Sequence, residues 1–255
     1  MKHFLLFVAA ASAWAQPALA PPQLGFIADG AHSLRPVFGV AGSFVLGGAA
    51  ATGVTSAAFS GSLGLLKTDS AVVAFDPQGN TLASIGAAAG PALFGFAEKG
   101  DAALAYLPNS GEIIRFSGGR FTPRSVTVDA SFVISVAFPN LRQASLIIQR
   151  DGGLWELRVG LADGSVDSQT ALTGFAAPVL ELPSQQLVAS DTQGIVVRNP
   201  DGSERHIAAR LPANFALLEM SNGWVQVVDL GSAARFAVRV TPGHEGFYML
   251  PGVRP

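Results

Sequence analysis

The chain has 255 residues, 49% of them hydrophobic and 13% charged, with 29 Gly, 16 Pro and no Cys. That supplies a large core and excludes a disordered chain, and so many turn formers favour short strands over long helices. A formal charge of -2 excludes a broadly basic surface, so no nucleic-acid partner is expected.

Reading from the N-terminus, Lys2 and His3 precede an apolar run from Phe4 to Ala15 that ends in the small-x-small pattern Ala13-Trp14-Ala15. This is the pattern of a signal peptide over residues 1–15, with Gln16 as the mature start. An uncleaved membrane anchor is the alternative, but the run is shorter than the about 20 residues a bilayer requires. No later segment is apolar for long enough, so no membrane span is expected in the mature chain. Without Cys there is no site for lipid attachment and no disulfide. The expected location is therefore periplasmic or extracellular, without a lipid anchor.

From residue 16 onward one pattern recurs: an apolar run, a polar turn, a second apolar run. The turns are Ile27-Ala28-Asp29-Gly30, Lys67-Thr68-Asp69-Ser70, Leu107-Pro108-Asn109-Ser110, Gln149-Arg150-Asp151-Gly152, Ala189-Ser190-Asp191-Thr192 and Val227-Val228-Asp229-Leu230. Their anchors, Asp29, Asp69, Asn109, Asp151, Asp191 and Asp229, return about every 40 residues, so the mature chain holds six such units. A second turn closes each later unit, as in Asp76-Pro77-Gln78-Gly79, Ser117-Gly118-Gly119, Ala162-Asp163-Gly164, Asn199-Pro200-Asp201-Gly202 and Pro242-Gly243. Gly, Asn and Asp are needed there because tight hairpins demand positive φ, and Pro presets a corner.

Four short antiparallel strands per repeat form a propeller blade, whose two apolar faces are covered only by neighbours around a ring. The expected fold is all-β, a single six-bladed β-propeller over 16–255. Approximate blades are 16–48, 49–88, 89–128, 129–172, 173–210 and 211–255. A β-sandwich or two small β domains is the competing architecture. The first unit has no evident innermost strand, because Gln16 to Pro22 is rich in Pro. It is either short or completed by the C-terminus.

The sequence of strand, Asp-bearing turn, strand and Asp/Asn-Pro-x-Gly turn resembles the NHL, YVTN and TolB-like repeats of exported bacterial propellers, a WD40-like architecture. The resemblance covers nearly all of the mature chain and implies a binding scaffold more often than an enzyme, without naming a ligand.

The six anchors are expected on one rim, where they form the candidate binding collar. Each residue also suits an Asx turn that fixes its own hairpin. His32, His206 and His244 form neither an HExxH motif nor a close His/Asp pair in sequence, and Asp163-Gly164-Ser165-Val166-Asp167 lacks the ligand spacing of a calcium loop. No nucleophile elbow, phosphate loop or dinucleotide fingerprint occurs, so no catalytic residue, metal or cofactor is expected. Trp155, Trp224 and Tyr106 lie in or at the end of strands and read as packing residues rather than a sugar platform. The functional expectation is a monomeric, non-catalytic scaffold binding a protein or small ligand on one rim. A lyase or hydrolase with its site at the central channel mouth is the second reading. A purely structural repeat in the envelope is the third.

Overall fold

The computed structural model describes residues 21–126, 133–221, 223–232 and 234–252. The expected signal peptide, residues 1–15, lies outside them. Among the described residues there is no helix, and six four-stranded antiparallel sheets follow one another along the chain.

The first sheet holds β1 (Gln23–Ala28), β2 (Ser33–Val40), β3 (Ser43–Leu46) and β4 (Ala51–Thr52), and the second β5 (Val54–Phe59), β6 (Gly64–Thr68), β7 (Ala71–Phe75) and β8 (Thr81–Gly86). The third holds β9 (Leu93–Phe96), β10 (Ala102–Leu107), β11 (Glu112–Ser117) and β12 (Arg120–Ser125). The fourth is β13 (Val133–Asn140), β14 (Gln143–Arg150), β15 (Gly153–Gly160) and β16 (Val166–Ala171). The fifth is β17 (Leu180–Glu181), β18 (Leu187–Ser190), β19 (Gly194–Arg198) and β20 (Glu204–Ala208). The sixth is β21 (Phe215–Ser221), β22 (Trp224–Asp229), β23 (Arg235–Arg239) and β24 (Gly246–Met249).

Burial falls from the inner strands of a blade to its outer edge, as radial packing requires. In β10 every residue is buried, because successive side chains enter different interfaces: Ala103 and Ala105 pack toward the second blade, Leu104 and Tyr106 toward the fourth. The outermost β16 is exposed along its whole length. Turn chemistry holds the hairpins in phase. At Asp76 the carboxylate accepts bonds from the Gln78 and Asn80 N–H groups at 2.9 and 2.8 Å, while Gly79 takes φ 84.

Six apolar clusters, one at each boundary between neighbouring blades, close the ring. The boundary between last and first blade is made by Met220, Ala237 and Leu250 against Leu24, Ile27 and Val37. Architecture is therefore a six-bladed β-propeller.

The first blade is the irregular one. Both β3 and β4 pair with β2, so they share the outer position and the sheet is three strands wide. The turn carrying Asp29 follows β1, whereas the other anchors follow the second strand of their blades. This places β1 in a second-strand position with no described strand inside it. As a result β21 touches β5 directly, and β1 packs against both. Gly25 permits this closeness: a Cβ there would lie 2.1 Å from the Met220 carbonyl oxygen. The C-terminal strand β24 pairs with β23 in the sixth blade, so of the two expected ways of closing, the described residues carry the short first blade. That sheet extends to Thr52, past the boundary at 48 expected from the repeat.

Candidate functional site

All six anchors lie in the turn after the second-position strand, which puts them on one face of the ring. Three of them bind their own hairpin. Asp29 Oδ1 accepts from Ala31 N and Ser33 N, both at 2.9 Å, and its Oδ2 from Arg35 Nε at 2.8 Å. Burial pushes the Asp29 carboxyl up, but these donors outweigh it and hold the group below the ordinary aspartate range. Asp191 accepts from Gln193 N and Gly194 N, and Asp229 from Gly231 N and the Ser232 hydroxyl. Asn109 donates instead to Ala89 O in the connection between β8 and β9, Asp151 takes a φ of 53 beside Arg150, and Asp69 supports the charge of buried Lys67.

The histidines are also placed. His206 Nδ1 lies 2.7 Å from Asp191 Oδ2, a pairing of residues 15 apart that the sequence spacing does not reveal. His32 Nδ1 lies 3.2 Å from Val54 O, and His244 is exposed. No group of three His, Asp or Glu side chains suited to a metal occurs among the described residues. Trp224 packs edge-on to Phe44 of the first blade and Tyr106 is fully buried, so both serve packing.

The opposite face carries a cavity of about 370 Å³. Its wall comes from the turn after β9 (Glu98), the turn after β17 (Pro183, Ser184), the end of β21 (Glu219, Ser221) and the turn after β23 (Thr241). In a ring of six, the third and sixth blades stand across from one another, so the cavity spans the mouth of the central channel.

Glu219 is the distinctive group there. It is 5% exposed, no side-chain donor or backbone N–H among the described residues meets its carboxyl, and burial pushes its pKa well above the usual carboxylate range. Its position in β21 has a sequence signal. Phe215, Leu217 and Glu219 alternate on one side of the strand, and the first two pack into the boundary with the fifth blade. A carboxyl therefore occupies a core-phase position, which a survey of turns and spacings passes over. Glu98 is exposed, and no Lys, Arg or His lines the cavity.

A second buried acid lies away from the mouth. Glu181 of β17, 4% exposed, accepts from the Ser145 hydroxyl at 2.5 Å and from Arg158 Nη2 at 3.2 Å, and Arg158 also pairs with Glu156. Burial raises its pKa more than Arg158 and Ser145 lower it. Every carboxyl in this cluster has a partner, and it joins the fourth blade to the fifth.

No family model matches the chain, and no curated protein does. Solved structures do match in shape. A chain of a nidogen/laminin complex aligns at 10% identity and TM-score 0.56, covering 91% of this chain and 99% of that one. A protein of unknown function from Bacteroides caccae aligns at 12% and 0.51, covering 91% and 99%. A catalytically inactive virginiamycin B lyase from Staphylococcus aureus, with quinupristin, aligns at 9% and 0.50, covering 92% and 86%. At such identities the likeness is one of fold, shared by binding proteins and enzymes.

Proposed function

We propose that this chain is an exported, non-catalytic binding propeller that takes a small ligand in the cavity at the channel mouth. The observation that supports this is Glu219: a buried carboxyl without a partner among the described residues lines a cavity built by three blades. Uncompensated burial of a carboxyl costs stability, and a ligand that meets it would recover that cost. The cavity volume falls within the range of small-molecule sites. The rim of anchors is the weaker candidate, because Asp29, Asp191 and Asp229 are engaged by their own turns. Export rests on the pattern of residues 1–15, and N-terminal sequencing of the exported protein should read from Gln16.

The test is equilibrium dialysis of the purified mature chain against a small-molecule extract of its native compartment, beside Ser184→Trp, which fills the exposed edge of the mouth. A compound retained by the native chain, lost by Ser184→Trp and recovered with its mass unchanged is the expected result. Retention indifferent to Ser184→Trp overturns the cavity as the site. The enzyme reading is favoured by one feature, the raised pKa of Glu219, which keeps an acid in its proton-donating form. Recovery of the compound in altered form would replace the scaffold by a lyase or hydrolase.

A further inference from the structure

We propose that the mouth cavity is selective for a primary alkylammonium head group, with the Glu219 carboxylate as its counter-ion; this rests on the cavity being the ligand site.

Charge sets the sign of the ligand. The titratable groups on the wall are Glu98 and Glu219, both acids, and no cation among the described lining residues balances either. Among the described residues, the elements packed most closely against β21 supply none. β1 and β5 carry no titratable side chain, Glu181 of β17 turns to Ser145 of the fourth blade, and Asp229 stands at the far end of β22. Lys99, next to Glu98, is exposed and does not line the wall. An anionic ligand would meet two carboxyls and no donor charge, whereas a cation supplies the counter-charge that lets the buried carboxyl ionise.

The lining chemistry sets the class of cation. An ammonium has three N–H donors, and the wall offers the Glu219 carboxylate with the hydroxyls of Ser221 and Thr241 as acceptors. Leu182, Pro183 and Val240 give an apolar surface for an alkyl stem. A bare metal ion is a poorer fit, since two carboxyls across so wide a cavity cannot supply the crowded oxygen shell that calcium takes.

Binding also carries a proton signature. Where the empty site keeps Glu219 protonated, the ammonium must displace that proton to solvent. Affinity should then rise about tenfold per pH unit until the free carboxyl is ionised, and level off above it.

The experiment is isothermal titration calorimetry of the mature chain with n-hexylammonium chloride, 1-hexanol, sodium hexanoate and calcium chloride. Each is run at about pH 6 and about pH 8, in two buffers of different ionisation enthalpy. Hexylammonium should bind, more tightly at the higher pH, with proton release at the lower, while hexanol and hexanoate bind far more weakly. Glu219→Gln should weaken hexylammonium about ten- to a hundredfold and abolish proton release, and Glu98→Gln should weaken it a few-fold. If Glu219→Gln fails to melt cooperatively, the proton release and the preference for ammonium over alcohol in the native chain still decide the matter. Hexylammonium binding no tighter than hexanol, or unchanged in Glu219→Gln, overturns the proposal, as does displacement by calcium at equal concentration. Should the extract compound lost in Ser184→Trp prove neutral or anionic, the ammonium falls while the cavity stands.

Discussion

Asp29 and Glu219 are both 5% exposed, yet the chain treats them in opposite ways. Asp29 closes the first hairpin of the ring. It accepts two backbone N–H bonds and a bond from the Arg35 guanidinium, its pKa is lowered, and its charge partly offsets the burial that lowers the pKa of half-buried Arg235 from the sixth blade. Glu219 lies at the channel mouth on the other face, meets no donor among the described residues, and has its pKa raised by burial. Burial pushes both carboxyls the same way; the supply of donors decides the outcome. One carboxylate holds the fold together, and the other is held by the fold for something else.

Removing Asp29 should produce the largest effect. Asp29→Ala leaves Arg35 without its carboxylate and two turn N–H groups without an acceptor, so it should cost about 3–5 kcal/mol by urea unfolding at neutral pH. Asp29→Asn should cost less, because an amide oxygen can still accept from Ala31 N and Ser33 N. Since the folded pKa lies below the unfolded one, this stabilisation is complete above about pH 4 and is lost as pH falls through the folded value. A cost below about 1 kcal/mol for Asp29→Ala would erase the contrast with Glu219.

Glu219→Gln should act in the opposite direction. A raised folded pKa means that the carboxyl's contribution is fully present below about pH 4 and is lost as pH rises toward the folded value. Gln does not titrate, so its advantage should widen with pH, reaching a gain of about 1–3 kcal/mol by about pH 8. Parallel unfolding curves at about pH 5 and about pH 8 measure it. A variant less stable than the native chain at the higher pH would mean that Glu219 has a structural partner after all, and the mouth would lose its claim to be poised for a ligand.

The ring was legible because its punctuation is local. Asp76, Asn199 and Asp201 bond within their own turns, so residue type and position alone report the hairpin. The missing innermost strand of the first blade was legible for the same reason, through the Pro-rich stretch from Gln16 to Pro22, but whether the blade is short or completed by the C-terminus was not. What could not be read is whatever depends on neighbours distant in sequence. Arg235 reaches the field of Asp29 only when the sixth blade meets the first, and His206 meets Asp191 only through the pairing of β19 with β20. Glu219 is the extreme case. Its significance is a missing partner, and no pattern of spacings records an absence; only its phase with Leu217 hints that a carboxyl has entered the core.

Glu181 tests whether partner count alone separates the two cases, because it is as buried as either, is well partnered, and still has a raised pKa. The Ser145 hydroxyl lies 2.5 Å from Glu181 and 3.2 Å from Glu156, but has one proton to give. Burial is the larger cause of the raised pKa, and the neighbouring Glu156 carboxyl adds to it while Arg158 and Ser145 pull the other way. Partners must match in charge and proton count as well as number. Ser145→Ala should cost about 1 kcal/mol at neutral pH. The hydroxyl lowers the Glu181 pKa, so its loss raises that value further, and the cost should be larger at about pH 8 than at about pH 5. A cost that shrinks as pH rises would show that Ser145 serves the protonated acid, and would place Glu181 beside Glu219 rather than between it and Asp29.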